Sequence, residues 1–599
     1  MKRAAACLLF FFCLPVFAQT SSAPLIADPP SRTSMSLDGS WNSIIDPYET
    51  GMSSHFYENR KPASKTDLIE YDFDRSPKLK VPGDWNSQRE SLLFYEGPMW
   101  YQRSFSYHQQ PGKRVFLYFG AANYFSRVWL NGTKVGEHVG GYTPFNFEVT
   151  GQLKDGANSL VVEVDNTRRL EGVPSIHTDW WNYGGITRGV KLIEVPQNFI
   201  QNYFVQLAKG RPDEIQGWVQ LSGGNSATVE VPELRIRQTA QADAQGRAEF
   251  HVTAKPLLWS PENPRLYQVT VSSSEDRITD EIGFRTIEVR GTEILLNGKP
   301  VFLRGISAHE EAPYRGGRAV SADDGRTLIT WAKELGCNFM RLTHYPHNED
   351  MIRLADQIGM MIWDEVPVYW EMQFDNPAVL ENAKAQLRDV VARDQNRAAV
   401  VIWSLSNETP VTPERTAFLK SMAEYGRSLD STRLISSASD KATHIDPQHM
   451  ALNDPLGEYL DVIGLNEYVG WYFAKKDDAD QIQWTFKYQK PVLITEFGGG
   501  AQYGLHGDAD TRFTEEYQAS LYEHQLTMLK KIPALAGMSP WVLMDFRSPR
   551  RTLSGIQDYF NRKGLFSDRG QRKQAFYVLQ KFYEEKAKQW AFDASDGTD

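Results

Sequence analysis

Three successive patterns of hydrophobicity predict a multidomain chain: an N-terminal β-sandwich of jelly-roll type, an immunoglobulin-like β-sandwich and a C-terminal (β/α)8 TIM barrel. Short runs broken by turn residues fill the first half, as in stacked antiparallel sheets. Near-continuous apolar runs alternating with amphipathic stretches fill the second, as in a parallel sheet with helical crossovers. Two of these later runs, 400–408 and 491–496, end on glutamate, and in such barrels the residues just past the strands carry the chemistry.

Lys2 and Arg3, an apolar run over 4–17 and the small-residue pattern Val16-Phe17-Ala18 predict a secretory signal over 1–18. Delivery to the periplasm or the medium follows. The run is too short to cross a bilayer as a stable helix, and no later segment is long and apolar enough, so no membrane anchor is expected. Cys7 and Cys13 lie in that leader, which leaves Cys337 and excludes an intrachain disulfide. Stability then rests on large apolar cores, for which 599 residues with 41% hydrophobic content are ample. The net charge of -10 argues against a nucleic-acid partner, while a homo-oligomer is compatible with the sequence.

The first sandwich is expected over 30–196. Strand-type runs at 114–119 and 127–130 precede the Asn131-Gly132 turn, and 158–164 follows Asp155-Gly156. Asn131 also opens a glycosylation sequon, but the hairpin accounts for it more simply. The immunoglobulin-like domain is expected over 197–290, with strands at 216–221, 233–238, 248–253 and 266–272. The barrel is expected over 291–590. Its eight strands are read at 301–305, 337–341, 360–364, 400–405, 434–437, 462–465, 491–495 and 537–544, with helices such as 324–334, 351–357, 378–394 and 514–530 between them. Glu408 then follows strand four and Glu496 strand seven.

With the glutamates so placed, the chain resembles glycoside hydrolase family 2, whose two sandwiches and barrel occur in this order. The resemblance covers nearly the whole mature chain. It is carried by Asn182-Tyr183-Gly184-Gly185-Ile186-Thr187-Arg188, Trp259-Ser260-Pro261-Glu262-Asn263-Pro264, Arg341-Leu342-Thr343-His344-Tyr345-Pro346, Trp363-Asp364-Glu365 and Ile494-Thr495-Glu496-Phe497-Gly498. It implies a retaining glycosidase with Glu496 as nucleophile and Glu408 as acid/base, the carboxyls roughly 5 to 5.5 Å apart. Negative charge on Glu496 is expected to keep Glu408 protonated until glycosylation removes it. Asn407 resembles the family's ligand for the sugar 2-hydroxyl, and Arg341 and Tyr468 are expected to hydrogen-bond Glu496. His344 matches a substrate-pocket histidine. Trp541, read as closing strand eight, is expected to floor the sugar ring, and Asp179 to reach the pocket from the first sandwich.

Substrate choice turns on Asn561-Arg562-Lys563. Asn561 and Lys563 match the Asn-x-Lys signature of the family's β-glucuronidases, where the pair grips the C6 carboxylate of a glycoside or oligosaccharide. Strand eight departs from those enzymes, reading Trp541-Val542-Leu543-Met544-Asp545, and Arg547, Arg550 and Arg551 follow it. β-Galacturonidase and β-galactosidase are therefore the enzymatic alternatives. A non-catalytic carbohydrate-binding protein is the alternative of another class, and requires one glutamate to be missing or misplaced. His309-Glu310-Glu311 is read as a hydrogen-bonded rim, not a metal site. Without a phosphate-cradling glycine loop or paired CxxC, no cofactor is expected.

Overall fold

A computed structural model describes residues 24–27 and 30–589. The leader read over 1–18 lies outside the described residues. In the first sandwich, a six-stranded sheet runs in the order Lys78–Val81, Gly39–Ile45, Pro98–Tyr107, Gly156–Asp165, Phe125–Leu130, Thr133–Val139. Ser34–Ser36, Val190–Pro196, Lys113–Phe119 and Phe145–Glu148 form the opposing sheet. Trp41, Tyr101, Leu117, Val128 and Val162 fill the core between them. Asn131 and Gly132 both have positive φ, 55° and 81°, the geometry of a two-residue hairpin turn. The Asn131 side chain is also committed to Ser159 N, Gln152 O and Asn158 Oδ1, which supports the turn reading of the sequon.

The second sandwich pairs a three-stranded sheet (Ile200–Ala208, Arg211–Leu221, Arg247–Thr253) with a four-stranded one (Ile236–Gln241, Ser226–Val231, Tyr267–Ser272, Arg277–Ile282). The strand expected at 233–238 starts later, at Ile236. Pro232 has no N–H to offer a ladder, and Pro232–Leu234 forms a 3-10 turn instead.

Eight parallel strands close the barrel: Leu303–Ala308, Phe339–Leu342, Met361–Glu365, Val400–Asn407, Leu434–Ser439, Ile463–Asn466, Val492–Glu496 and Leu535–Met538. Every residue of strand four is buried, because helices cover its outside and packed side chains fill its inside. Two expectations change here. The run read at 537–544 leaves the barrel at Met538, since Pro540 cannot donate to a ladder, so Trp541 lies in the following loop and does not close the strand. The eight strand–helix units are also incomplete. The connections after strands five and six carry the 3-10 turns Pro455–Glu458 and Lys476–Gln481 and a small sheet of Thr443–Asp446, His449–Leu452 and Gln483–Phe486 in place of α-helices. Between 440 and 461 the chain lacks the apolar spacing of a helix.

Candidate active site

Strands two, four, six and seven deliver the central groups to one rim. Strand four ends in Asn407, and Glu408 turns the chain sharply with φ 53° while its N–H donates to Ala438 O at 2.9 Å. A left-handed backbone at a glutamate is costly and is tolerated where the surroundings fix it. Its carboxylate accepts from Asn466 Nδ2 and from Trp370 Nε1, each at 2.8 Å. Thr495 Oγ1 donates to Asn466 Oδ1 at 2.6 Å and so fixes which way that amide faces.

Glu496 is 5% exposed and bound on both oxygens. Arg341 Nη1 donates to Oε1 at 2.8 Å and the Tyr468 hydroxyl to Oε2 at 2.7 Å. The other arm of Arg341 donates to Asn407 Oδ1 at 2.7 Å, so one fully buried guanidinium links the nucleophile position to the residue beside Glu408. Asn407 Oδ1 also accepts from Asn466 at 3.1 Å, whereas Asn407 Nδ2 has no protein partner. Glu365 lies behind, 3.3 Å from Arg341 and 2.8 Å from His344 Nδ1. Burial pushes the Glu365 carboxyl up, but Arg341, His344 and Trp363 together hold it below the usual glutamate value. His344 thereby turns Nε2 toward Glu496 Oε1, 3.8 Å away.

The two glutamates are unequal. The Glu408 carboxyl is pushed up to about 8, chiefly by burial and secondly by the charges of Glu496 and Asp440, against the pull of Asn466 and Trp370. The charge of Glu496 does raise the Glu408 carboxyl, as expected, and removal from water contributes more. A carboxyl kept protonated at neutral pH in this way is equipped to act as the acid.

The outer wall is built from the first sandwich and the loop after strand eight. Asp179 accepts from Ser548 Oγ at 2.6 Å, from Asn561 Nδ2 at 3.2 Å and from Arg551. Asn561 Oδ1 accepts the backbone N–H of Lys563, and Lys563 Nζ donates to the Tyr472 hydroxyl at 2.6 Å. Nζ also faces the rings of Tyr472, Tyr468 and Trp471 at 4.7, 5.3 and 5.7 Å, and burial lowers its pKa below the usual lysine value. Trp541 is 3% exposed, with one face covered by His344 at 5.0 Å.

All ten residues singled out in the sequence converge on this rim. Trp370, Asn466, Glu365 and Tyr472 were not assigned roles there. Glu365 stands inside a stretch that carries the resemblance, and Asn466 and Tyr472 lie within four residues of Tyr468, usable signals; Trp370 has none, because only the folded loop after strand three brings it to Glu408. In the rim triplet Glu310 is bound by Arg188 and Arg318, Glu311 by Tyr183, and His309 meets Tyr345 through Nδ1 while its Nε2 has no protein partner.

A parallel barrel with a buried, arginine-bound carboxylate and a second carboxyl held neutral nearby has the equipment of a retaining glycosidase. The models for glycosyl hydrolases family 2 match its sugar binding domain at 35–196, its middle domain at 205–285 and its TIM barrel domain at 287–587. The chain belongs to glycosyl hydrolases family 2. Rat (Rattus norvegicus) beta-glucuronidase is 29% identical, covering 93% of this chain and 91% of that one, and the human (Homo sapiens) enzyme is 28% identical over the same shares. Among solved structures, the beta-glucuronidase of an uncultured Clostridium species and that of Ruminococcus gnavus in complex with uronic isofagomine each superpose with a TM-score of 0.81 at 25% identity. Each covers 94% of this chain and 100% of that one.

Proposed function

We propose that this glycosidase releases terminal β-linked glucuronic acid by double displacement, with Glu496 as nucleophile and Glu408 as acid/base. The observation that carries the substrate assignment is the Tyr468 side chain: its hydroxyl donates to Glu496 and its ring lies 5.3 Å from Lys563 Nζ. One aromatic ring therefore separates the attacking carboxylate from a buried ammonium, a span suited to the reach from C1 to the C6 carboxylate of a pyranose. No carboxylate among the described residues pairs with that ammonium, whose direct hydrogen bond goes to Tyr472. A uronate supplies the missing anion, and a charge-assisted bond of this kind is worth about 1.5 to 3 kcal/mol.

In the first step ionised Glu496, held by Arg341 and Tyr468, attacks the anomeric carbon while Glu408 gives its proton to the departing oxygen. In the second, Glu408 takes a proton from water, which displaces Glu496 from the sugar. Asn407 Nδ2, without a protein partner, is placed to donate to the 2-hydroxyl as the ring flattens. Asp179 fixes Asn561 and Arg551 on the uronate side. The leader-type residues 1–18 support an exported enzyme.

A β-galacturonide presents the same carboxylate, so Lys563 alone does not exclude it. Hydrolysis of matched aryl β-glucuronide, β-galacturonide, β-galactoside and β-glucoside decides. Wild type is expected to favour the glucuronide, Lys563→Ala to lose that preference by about ten- to a hundredfold, and Glu496→Gln to cleave none. Preference for the galactoside, unaltered by Lys563→Ala, rules out the uronate assignment.

A further inference from the structure

The loop after strand eight brings three arginines to the mouth of the site, and two of them are engaged. Arg551 is bound by Asp179 and lies 3.3 Å from the Tyr472 hydroxyl. Arg547 lays its guanidinium on Phe560, 4.6 Å from the ring centroid. Arg550 is exposed, has no carboxylate partner among the described residues, and sits over Trp370 with its guanidinium carbon 4.8 Å from the ring centroid. Trp370 is the side chain whose indole N–H donates to Glu408.

That adjacency fixes which part of a substrate Arg550 meets. A general acid has to reach the oxygen of the leaving group, so what lies outward of it flanks the leaving group and not the sugar being released. Lys563, Tyr468 and Glu496 surround the terminal ring; Glu408, Trp370 and Arg550 continue outward. Lys441, the cation that follows Asp440 near Glu408, is paired with that carboxylate at 2.6 Å, whereas Arg550 has no such partner among the described residues. Resting on the glucuronide reading, we propose that Trp370 and Arg550 form a leaving-group subsite for an anionic sugar. The substrate is then an acidic oligosaccharide whose penultimate residue bears a carboxylate or a sulfate. The indole holds the guanidinium beside Glu408, and the guanidinium fork matches either oxyanion.

The test compares kcat/KM on an aryl β-glucuronide and on three β-glucuronyl disaccharides that differ only in the penultimate sugar, which is neutral, carboxylated or sulfated. Wild type is expected to favour one or both acidic disaccharides over the neutral one by about tenfold or more, less so at high salt. Arg550→Ala is expected to erase that ratio, Arg550→Lys to restore part of it, and Lys563→Ala to lower all four substrates without changing it. The carboxylated and sulfated arms separate the two oxyanions. Equal rates on neutral and acidic disaccharides, or an Arg550→Ala loss that is the same on every substrate, overturns the subsite while the glucuronidase stands. Failure to cleave any of the four overturns both.

Discussion

Glu408 bears two destabilising features at once, a left-handed backbone with φ 53° and a carboxyl pushed up to about 8 by burial and by Glu496. A glutamate in an unfolded chain ionises near about 4.3. Between those values the folded protein binds a proton that the unfolded chain has released, so stability falls as pH rises from the lower toward the upper value. Glu408→Gln cannot ionise and escapes this penalty. Its melting temperature is therefore expected to exceed that of wild type by a margin that grows from pH 5 to pH 8. A difference between the two that does not change with pH contradicts the raised pKa. Activity moves the other way: wild-type kcat/KM is expected to fall as pH passes about 8. Glu408→Gln is expected to lose that alkaline limb and about 10²- to 10⁴-fold in rate on alkyl leaving groups, with a smaller loss on activated aryl ones. The same burial that weakens the fold keeps the acid loaded at neutral pH.

At the level of elements, the loop that carries Trp180 and Asp179 out of the first sandwich is locked to the loop after strand eight. Asp179 joins Ser548, Arg551 and Asn561 across that seam, while Trp180 packs against Tyr369 at 4.8 Å and His344 at 5.7 Å. Asp179→Ala frees Asn561 and Arg551 and leaves buried donors unpaired. We expect KM for an aryl glucuronide to rise about tenfold or more with kcat less affected, and the melting temperature to fall modestly. A fall in kcat at unchanged KM places Asp179 nearer the chemistry than the carboxylate side. The sequence made the ends of strands four and seven legible because a buried parallel strand stays apolar until it reaches the polar rim. It misled at Trp541, where apolar residues continue past Pro540 although the ladder has stopped. It was silent on Trp370 because no local pattern marks a loop tryptophan that meets Glu408 only in the folded barrel. The missing helices after strands five and six follow from the polar segments there, whose extended and 3-10 turns no helical spacing announces.

Across the whole molecule, the second sandwich acts as a brace beneath the barrel. Arg285 sends its guanidinium to the carbonyls of Ala398, Thr432 and Val400, and Asp280 receives Arg353 at 2.9 Å, Arg397, and the Tyr203 hydroxyl at 2.7 Å. Burial pushes the Asp280 carboxyl up, yet Arg397 and Arg353 outweigh it and hold the group at about 2. Its folded value lies below the ordinary aspartate value of about 3.9, so its stabilising contribution is complete above that pH and fades as pH falls toward 2. Asp280→Ala takes the carboxylate from buried Arg397, which keeps Glu281 O and Asp356 at 3.6 Å, and from partly buried Arg353, which keeps Glu349; breaking a buried pair costs up to about 3 to 5 kcal/mol. We expect the variant's urea midpoint at pH 7 to drop accordingly, and the gap to wild type to narrow below pH 4. Asp280→Asn, which preserves shape and one acceptor, is expected to fall between them. None of these residues touches the rim that holds Glu408 and Glu496, so kcat on an aryl glucuronide below the transition is expected to stay within about twofold of wild type. A variant that unfolds normally but loses kcat reverses that assignment, and makes the sandwich a determinant of active-site geometry in addition to its role as support.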